Sequence, residues 1–416
     1  MTPDDFYFDF METTEDIMRY VPGGYHPIII GNILSPPDDT ENESRRYRIM
    51  HKLGYGSFAT VWLAQKTDSS DAFVAVKVTT AEGYSTTQEA AVLQVLSKAQ
   101  TKGAHVISIL DQFILHGPNG SHLVVVTEVV VPMFSLRSGK RPPAWRKAAA
   151  YGLAKGVKHL HALGVVHGGT LRRPIIGDPA KISRFIDLHL GNIGFTIPEI
   201  AHQDQEEVME RLGFPGLTVV LPFSAAEQIP SLPAYVVTPG AIKKYHDTLT
   251  DIPETKIFDF GNAHEAGTSP LTCKCAAVAC APEHVFALVV EKVDNPHVES
   301  PDDVWALGTA IYELIAGDQI FYGISFRDFP IHMAALAGSL PPGWQNWYTG
   351  LSDAREVSTS GADALWAARR KHLLRCCVDE ADTDALIRLL RKMLVLNPAL
   401  RPTAAEVLRD PWFSRV

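Results

Sequence analysis

Three side chains in this sequence, Asp259, Asn192 and Lys77, have the types and neighbours that chemistry on a phosphate group would need. Asp259 is followed by Phe and Gly, and a carboxylate in that setting suits Mg²⁺, a hard cation that prefers oxygen ligands. Asn192 would supply a second metal contact. Lys77 ends the apolar run Val-Ala-Val-Lys, where a buried ammonium group needs an acidic partner. Glu89, on the next predicted helix, is the candidate partner.

A glycine-containing turn precedes Lys77. Residues 53–61 read Leu-Gly-Tyr-Gly-Ser-Phe-Ala-Thr-Val, and Gly54 and Gly56 lack the Cβ atom that would keep backbone amides away from phosphate oxygens. Ala59 occupies a third small position. The turn is therefore predicted to lie over a triphosphate, with Lys77 on the α and β phosphates.

A candidate catalytic base lies upstream of Asn192. Asp187 precedes Asn192 by five residues, which is the spacing of a base that orients a substrate hydroxyl. His189 stands between them, and a neutral imidazole there would stabilise charge on a transferring phosphoryl group less well than an ammonium group. Together these residues predict phosphoryl transfer to a hydroxyl group.

Three other residues are predicted to stabilise the fold. Glu283, which ends the sequence Ala-Pro-Glu, is expected to form a buried ion pair with Arg401, and such a pair stabilises a fold rather than performing chemistry. Asp303 stands at a predicted helix start, where an aspartate caps free backbone amides.

Composition places the chain among soluble globular proteins. It has 416 residues, 46% hydrophobic and 20% charged, which suffices for two lobes and a large core. The formal net charge of −9 argues against nucleic-acid binding and suits basic partners. The apolar runs fall short of the ~18 residues of a membrane span, so no membrane association is expected. Five cysteines, an odd number, favour a reducing compartment and free thiols.

The apolar pattern predicts an α+β fold. Strands are predicted around one main helix at 85–98, over residues 47–53, 60–64, 73–78, 106–115 and 122–130. Beyond Pro132 the sequence is mainly helical, with predicted helices at 144–163, 302–316, 384–394 and 403–408. The sequence therefore indicates a five-stranded small lobe followed by a mainly helical large lobe.

Domain boundaries follow from these elements. Residues 1–20 are expected to form a disordered acidic tail, residues 21–130 the small lobe, and residues 131–416 the large lobe. Two insertions are predicted in the large lobe, at 169–186 and 193–256. An acidic run in the second predicts a helix followed by an extended loop.

In their order along the chain, these motifs resemble those of eukaryotic protein kinases over residues 45–416. Gly-Gly-Tyr-His-Pro at 23–27, Trp62 and Gly-Asn-Ala at 261–263 narrow the resemblance to the SR-protein kinase family, in a short fungal-type form. Gly-Ser-Leu-Pro-Pro at 338–342 resembles the insert of the wider group that contains those kinases. The resemblance implies a bilobal kinase fold and an ATP- and Mg²⁺-dependent serine/threonine kinase.

The resemblance also assigns roles to residues. The catalytic residues that it implies are Asp187, Lys77, Glu89 and His189, and the implied magnesium ligands are Asn192 and Asp259. The residues that it places around the nucleotide are Leu53, Gly54, Gly56, Ala59, Val61, Ala75, Lys77, Glu128 and Val130. It gives Asp303 the further role of holding the catalytic-loop backbone. The implied substrates are Arg/Ser-rich splicing factors, and the protein is expected to be a monomer in the cytoplasm, the nucleus or both.

One departure from the family pattern interrupts the catalytic loop. His167 and Gly168 should run directly into Asp187, but eighteen residues, 169–186, intervene, with four basic side chains and one acidic side chain. We interpret them as a retained intron or gene-model artefact, and the alternative is a genuine surface loop. The ends of such a loop must meet in the active site, where about 1 Å of misplacement can lower a rate ~100-fold. Gly168 also replaces the usual arginine, which makes regulation by loop phosphorylation less expected.

Two other functions stay open. The insert, His189, and Gly194 at a position that usually holds a bulky residue under adenine all favour a pseudokinase scaffold. Asp-Leu-His-Leu-Gly-Asn at 187–192 resembles a loop of aminoglycoside-type phosphotransferases, which leaves a small-molecule kinase open. The Ala-Pro-Glu sequence, Asp303 and Arg401 count against that third function.

Overall fold

A computed structural model describes most of the chain. The described residues are 6–7, 13–39, 42–68, 72–86, 89–99, 105–133, 141–168, 192–222, 229–248, 254–268, 279–293, 296–321, 324, 326–351 and 357–415. The strands are β1 (Phe6–Tyr7), β2 (Ile33–Leu34), β3 (Tyr47–Gly56), β4 (Ala59–Lys66), β5 (Phe73–Thr79), β6 (Ile109–Gly117), β7 (Gly120–Thr127), β8 (Val130–Pro132), β9 (Val165–Val166), β10 (Ile193–Thr196), β11 (Leu217–Val219), β12 (Leu221–Pro222), β13 (Tyr235–Val237), β14 (Thr255–Ile257) and β15 (His264–Glu265). The helices are α1 (Ala81–Thr86), α2 (Glu89–Lys98), α3 (Pro143–Ala162), α4 (Gln205–Leu212), α5 (Pro282–Phe286), α6 (Ser300–Ala316), α7 (Phe329–Ala337), α8 (Gln345–Thr349), α9 (Thr359–Leu373), α10 (Glu380–Met393) and α11 (Ala404–Val407).

The chain forms two units, each assembled from separate stretches. The first unit combines Met1–Gln100, Ile107–Val131 and Thr196–Asp251, and the second combines Thr101–Val106, Pro132–Phe195 and Ile252–Val416. The first carries the large sheet and the second is mainly helical. The predicted α+β fold with two lobes is confirmed.

A six-stranded antiparallel sheet forms the centre of the first unit, in the order β2-β3-β4-β5-β7-β6. The five predicted strands are present, with ends shifted by up to three residues, and the short β2 extends one edge. The helix predicted at 85–98 overlaps two observed helices, α1, which begins earlier at Ala81, and α2.

The strands of this sheet bury both faces. On β4, Trp62 and Ala64 pack in one apolar cluster, while Leu63 between them packs in another. On β5, three valines join the first cluster and Ala75 joins the second. Since neighbouring residues on a strand point to opposite faces, this division means that each face of the sheet is covered.

Residues after β10 cover the second of these faces. The predicted helix is present as α4, capped by Asp204 and Glu207 in a reciprocal capping box. The cluster on this face contains Met50, Leu63, Ala75, Val129, Val131, Ile197, Ile200, Val208, Leu212 and Tyr245. The domain boundaries predicted from the sequence therefore differ from the observed units: Thr196–Asp251, expected as part of a large-lobe insertion, lies in the first unit.

Residues 13–20 also differ from the expectation of a disordered acidic tail. Glu15, Ile17 and Tyr20 are buried, with exposures of 1%, 4% and 1%. The Glu15 carboxylate lies 2.5 Å from the ammonium group of Lys52 and accepts a 2.6 Å hydrogen bond from the Tyr20 hydroxyl. An acidic residue at this place is thus buried together with its cation rather than solvated.

Two long helices organise the second unit. α3 packs against α6, and α6 is buried from Asp302 to its last residue, Ala316. Gly308 permits close packing of α6 against the end of α10, because a Cβ there would lie 3.1 Å from Leu394 and 3.2 Å from Met393. The second unit therefore surrounds α6 with α3 on one side and the end of α10 on another.

Candidate active site

The β3–β4 turn of the first unit has the backbone that a phosphate-binding loop needs. A Cβ built on Gly54 or Gly56 would meet nothing within 4 Å, so the space beside both glycines is open to a ligand. Ala59, by contrast, is 7% exposed and packs into the sheet. A polyphosphate therefore fits the residues of this turn.

Lys77 and Glu89 lie in contact. Lys77 Nζ is 2.6 Å from Glu89 Oε1, with side-chain exposures of 20% and 4%. Glu89 is the first residue of α2, where the positive end of the helix dipole favours a carboxylate. Lys77 lies two residues after Ala75 on β5, so both side chains face the same side of the sheet.

The other nucleotide-site candidates of the first unit lie on β3, β4, β5 and β8 and in the segment between β7 and β8. Leu53 packs at the margin of the second apolar cluster, and Ala75 is 8% exposed. Val61 and Val130 are partly buried. Glu128 Oε1 accepts a 2.8 Å hydrogen bond from the backbone amide of Ser108, which fixes the segment that joins β7 to β8.

The ladder between β10 and β14 brings Asn192 beside the Asp-Phe-Gly sequence. β10 and β14 pair antiparallel, with Ile193 opposite Ile257. Asn192 precedes β10 and Phe258 follows β14, and the Phe258 amide donates a 2.9 Å hydrogen bond to the Asn192 carbonyl. The two predicted magnesium ligands therefore lie at the same end of one ladder: Asn192 accepts this hydrogen bond, and Asp259 is the residue after its donor.

Asp259 has an unusual backbone conformation. Its φ angle is +66°, one of three positive φ values at non-glycine residues in the described part of the chain. An L-residue in this region costs about 1–2 kcal/mol, and such conformations concentrate at functional sites. Phe260, the next residue, is 1% exposed, and its ring lies 5.4 Å from the His167 ring, which anchors the turn.

Asp303 holds the backbone just before the insert. Its carboxylate accepts hydrogen bonds from the amides of His167 (2.8 Å) and Gly168 (3.1 Å) and lies 3.0 Å from His161 Nε2. Burial alone would raise the pKa of Asp303, but the hydrogen bond from His161 and the nearby His167 outweigh it and lower that pKa. Burial lowers the pKa of His167 as well. Asp303 is therefore the charged acceptor for this stretch of backbone.

The backbone conformation at position 168 favours glycine. Its φ is +64°, and a Cβ there would lie 3.0 Å from the carbonyl oxygen of Asn262 and 3.3 Å from the His264 ring. Gly168 is the last described residue before position 192. Asp187, His189 and the insert 169–186 lie outside the described residues.

Glu283 and Arg401 form a bidentate ion pair in the second unit. Their two contacts measure 2.7 and 2.6 Å, and Arg401 also donates to the carbonyl of Pro301 at 3.0 Å. Burial raises the pKa of Glu283, but hydrogen bonds from Asp302 and Arg401 outweigh it and lower that pKa. Burial and the neighbouring Glu283 raise the pKa of Asp302 well above its usual range. The sequence did not signal that Asp302 would join this pair.

The cysteines differ in part from the expectation of free thiols. Cys376 and Cys377 are free and buried, whereas Cys280 is disulfide-bonded. Within the described stretches, His, Cys, Asp and Glu side chains form no group of three or more that could hold a metal ion. No helix in the part of the chain that the structure describes is both long and apolar enough to cross a membrane.

Comparison with known proteins identifies the family resemblance. Residues 244–413 match the model of the protein kinase domain. Protein kinase dsk1 of Schizosaccharomyces pombe is 36% identical over 167 residues, 38% of this chain and 29% of dsk1. The chain is similar to SR-protein kinases. Serine/threonine-protein kinase SRPK of Physarum polycephalum is 23% identical over 440 aligned residues, 97% of this chain and 92% of that kinase. SRSF protein kinase 3 of Homo sapiens is 32% identical over 125 residues, 29% of this chain and 20% of the human protein.

These SR-protein-kinase relatives confirm the predicted resemblance and the protein-kinase-like fold. The chain spans less than a third of the length of dsk1 and of human SRSF protein kinase 3 in these matches. The matched kinase-domain residues include Asp259, Glu283, Asp303 and Arg401, while Lys77 precedes them. All three relatives carry the name of a kinase, so the comparisons lend no support to the scaffold alternative.

Proposed function

We propose that this protein is a serine/threonine kinase that transfers the γ-phosphoryl group of ATP to protein hydroxyls. The observation that carries the proposal is the β10–β14 ladder, which joins Asn192 to the residue before Asp259 through one 2.9 Å hydrogen bond. An amide and a carboxylate held at one ladder end suit a hard, oxygen-seeking cation. The kinase names of the relatives support the same reaction.

The proposed roles follow the chemistry of each group. Lys77, oriented by Glu89, would bind the α and β phosphates, while backbone amides of the Gly54–Gly56 turn would bind phosphate oxygens. Mg²⁺, when bound by Asn192 and Asp259, would neutralise negative charge on the phosphates. The other proposed nucleotide contacts are Leu53, Ala59, Val61, Ala75, Glu128 and Val130.

Two proposed catalytic roles belong to residues outside the described part of the chain. Asp187 would accept a hydrogen bond from the substrate hydroxyl and orient it toward the phosphoryl group. His189 would face the transferring phosphoryl group, which a protonated imidazole stabilises better than a neutral one.

The proposed substrates are Arg/Ser-rich segments of splicing factors. Support comes from the printed name of the human relative, SRSF protein kinase 3, and from the SR-protein-kinase resemblance. A formal net charge of −9 favours a basic substrate over an acidic one. We further propose that the protein acts as a monomer in the cytoplasm, the nucleus or both.

A phosphoryl-transfer assay tests this proposal. The full chain and a form lacking residues 169–186 are incubated with radiolabelled ATP and an Arg/Ser peptide, each also as Asp187→Asn. Asp178→Asn, within the insert, is the matched control in the full chain. We expect peptide labelling that Asp187→Asn lowers at least 100-fold and that Asp178→Asn leaves within twofold.

Each other outcome has a distinct meaning. Labelling by the deletion form alone would assign the insert as an inactivating lesion in a working kinase. No labelling by either form, with MgADP still bound in calorimetry, would overturn the kinase proposal in favour of a scaffold. Labelling of a small-molecule acceptor but not of the peptide would favour a small-molecule kinase.

A further inference from the structure

We propose that Arg19 and Tyr25 are positioning residues for the phosphate-binding turn, so that residues 19–25 serve nucleotide binding without touching the nucleotide. The proposal rests on the function proposed above, because it assumes that the β3–β4 turn binds phosphates. All of the residues involved belong to the first unit. We call residues 19–25 the amino-terminal turn.

The amino-terminal turn binds the tip of the β3–β4 turn through two carbonyl groups. The Tyr25 hydroxyl donates a 2.7 Å hydrogen bond to the carbonyl oxygen of Gly56, and the Arg19 guanidinium donates to the carbonyl of Ser57. Arg19 also donates to the Tyr25 hydroxyl at 3.0 Å and lies over the Tyr25 ring, 4.7 Å from its centroid. A hydroxyl can donate and accept together, so the two side chains form one connected pair.

Holding these two carbonyls also orients two amides. A trans peptide is planar, and its C=O and N–H groups point in opposite directions. The carbonyl of Gly56 shares a peptide with the amide of Ser57, and the carbonyl of Ser57 shares one with the amide of Phe58. Tyr25 and Arg19 therefore turn both amides to the side away from themselves. Amides with fixed directions are what a phosphate-binding loop requires.

A third carbonyl of the same turn is held as well. The amide of Thr80 donates a 2.7 Å hydrogen bond to the carbonyl of Phe58. Gly54 and Gly56 meanwhile leave open space where a Cβ would stand. The turn thus has fixed carbonyls at its tip and free room beside its glycines, which is the arrangement of a preorganised anion site.

Glycines shape the amino-terminal turn so that Arg19 and Tyr25 meet. Gly23 has φ +88°, and a Cβ on Gly24 would lie 1.7 Å from the carbonyl oxygen of Arg19. The Tyr25 amide donates a 2.9 Å hydrogen bond to that same oxygen. No residue with a side chain fits at position 24, so Gly-Gly-Tyr is required for the contact with the β3–β4 turn.

Surrounding contacts fix the amino-terminal turn in place. The carbonyls of Gly23 and Gly24 accept hydrogen bonds of 2.7 and 3.1 Å from the first two amides of α1. The Asn119 side-chain amide donates a 2.6 Å hydrogen bond to the Tyr25 carbonyl. Glu15, which forms a buried ion pair with Lys52, lies just before the amino-terminal turn in sequence. The hydrogen bonds from Arg19 and Tyr25 to Ser57 and Gly56 therefore come from a segment that is itself held in place by α1 and Asn119.

Calorimetry with two ligands tests the proposal on the full chain. MgADP carries phosphates and adenosine does not, so a variant that only loosens the phosphate-binding turn should affect MgADP alone. We expect Tyr25→Phe to weaken MgADP binding about 3- to 10-fold, the range for one lost hydrogen bond. Adenosine affinity should stay within twofold. Tyr235→Phe, which removes a hydroxyl that accepts from the Ile30 amide at 3.2 Å, is the matched control and should change neither.

Hydrogen exchange supplies a readout that needs no nucleotide. Amides of residues 53–58 should exchange at least threefold faster in Tyr25→Phe than in Tyr235→Phe. If Tyr25→Phe fails to fold, Arg19→Gln is measured in the same two experiments. Equal losses of MgADP and adenosine affinity, or unchanged exchange of residues 53–58, would overturn the inference. If the unmodified chain binds neither ligand, the proposed function fails, and exchange alone then decides the inference.

Discussion

Lys77 and Glu89 meet at 2.6 Å in the first unit, and the carboxylate of the pair is almost fully buried. Glu89→Gln removes the negative charge while keeping the size of the side chain. We expect kcat/KM for ATP to fall about 10- to 100-fold, because the Lys77 ammonium loses the charge that fixes its position. Steady-state kinetics with varied ATP would measure this loss.

Glu82→Gln is the matched control for that substitution. Glu82 lies in the first turn of α1 and is the other acidic residue close to Lys77 in sequence. It should leave kcat/KM within twofold. Equal losses in the two variants would show that negative charge anywhere near α1 and α2, rather than the ion pair with Lys77, governs the rate.

Asp303→Ala is predicted to destabilise the protein by about 2–6 kcal/mol. The change leaves the buried amides of His167 and Gly168 without their acceptor, and each unsatisfied group costs about 1–3 kcal/mol. Urea unfolding would measure the loss. Asp363→Ala removes a partner of Arg391 whose side chain is 56% exposed, so it should cost less than about 1 kcal/mol. Similar costs for the two variants would contradict the anchoring role of Asp303.

Glycines of the second unit allow backbone strain to be separated from crowding. Gly164→Ala places a side chain at φ +70° in open space and should cost about 1–2 kcal/mol. Gly168→Ala adds a close contact to the same strain, so its cost should be higher. Gly343→Ala meets neither problem and should be near neutral. Unfolding free energies in a different order would contradict this account of Gly168.

Asp302 predicts an unusual dependence of stability on pH. The pKa of the Asp302 carboxyl is higher in the folded protein than in the unfolded chain, where it is about 4. The folded state therefore binds this proton more tightly. The resulting stabilisation is fully present below the unfolded pKa and is lost as pH rises through the folded pKa. Asp302→Asn stays neutral at every pH. Between those two pKa values, the parent protein should lose about 1.4 kcal/mol per pH unit relative to the variant. Urea unfolding from pH 4 to 8 would measure the difference, and parallel curves would contradict it.

Local patterns predicted the large sheet and the helices α3, α6, α10 and α11, but they missed α7 and α9. Alternation along β3 and β4 and the β-rich composition of residues 73–78 are short-range signals, and the structure has strands at these residues. The partnership of Lys77 with Glu89 was also predictable, since only two acidic residues stand near Lys77 at the start of the following helices. Gly54, Gly56 and Lys77, which we propose to contact phosphates, thus lie in the strands that the sequence predicted or in the turn that joins them.

Long-range packing could not be predicted from the same patterns. Glu15 resembles any residue of a solvated acidic tail until its contact with Lys52 is known, 37 positions away. Apolar side chains between residues 196 and 251 are common, but nothing in their local pattern showed that Val208 and Tyr245 complete a face of the sheet. Burial decided both cases, and burial depends on partners that are remote in sequence.

The order in which the chain contributes to its two units restricts how the protein can be divided. Each unit draws on three separate stretches, and they alternate along the sequence. A fragment limited to residues 244–413 would therefore lack α3, which packs against α6, as well as β9 and β10. No single continuous stretch of the sequence contains all of either unit, so a truncation is expected to remove parts of both. Producing one unit alone would require circular permutation or new linkers between its stretches.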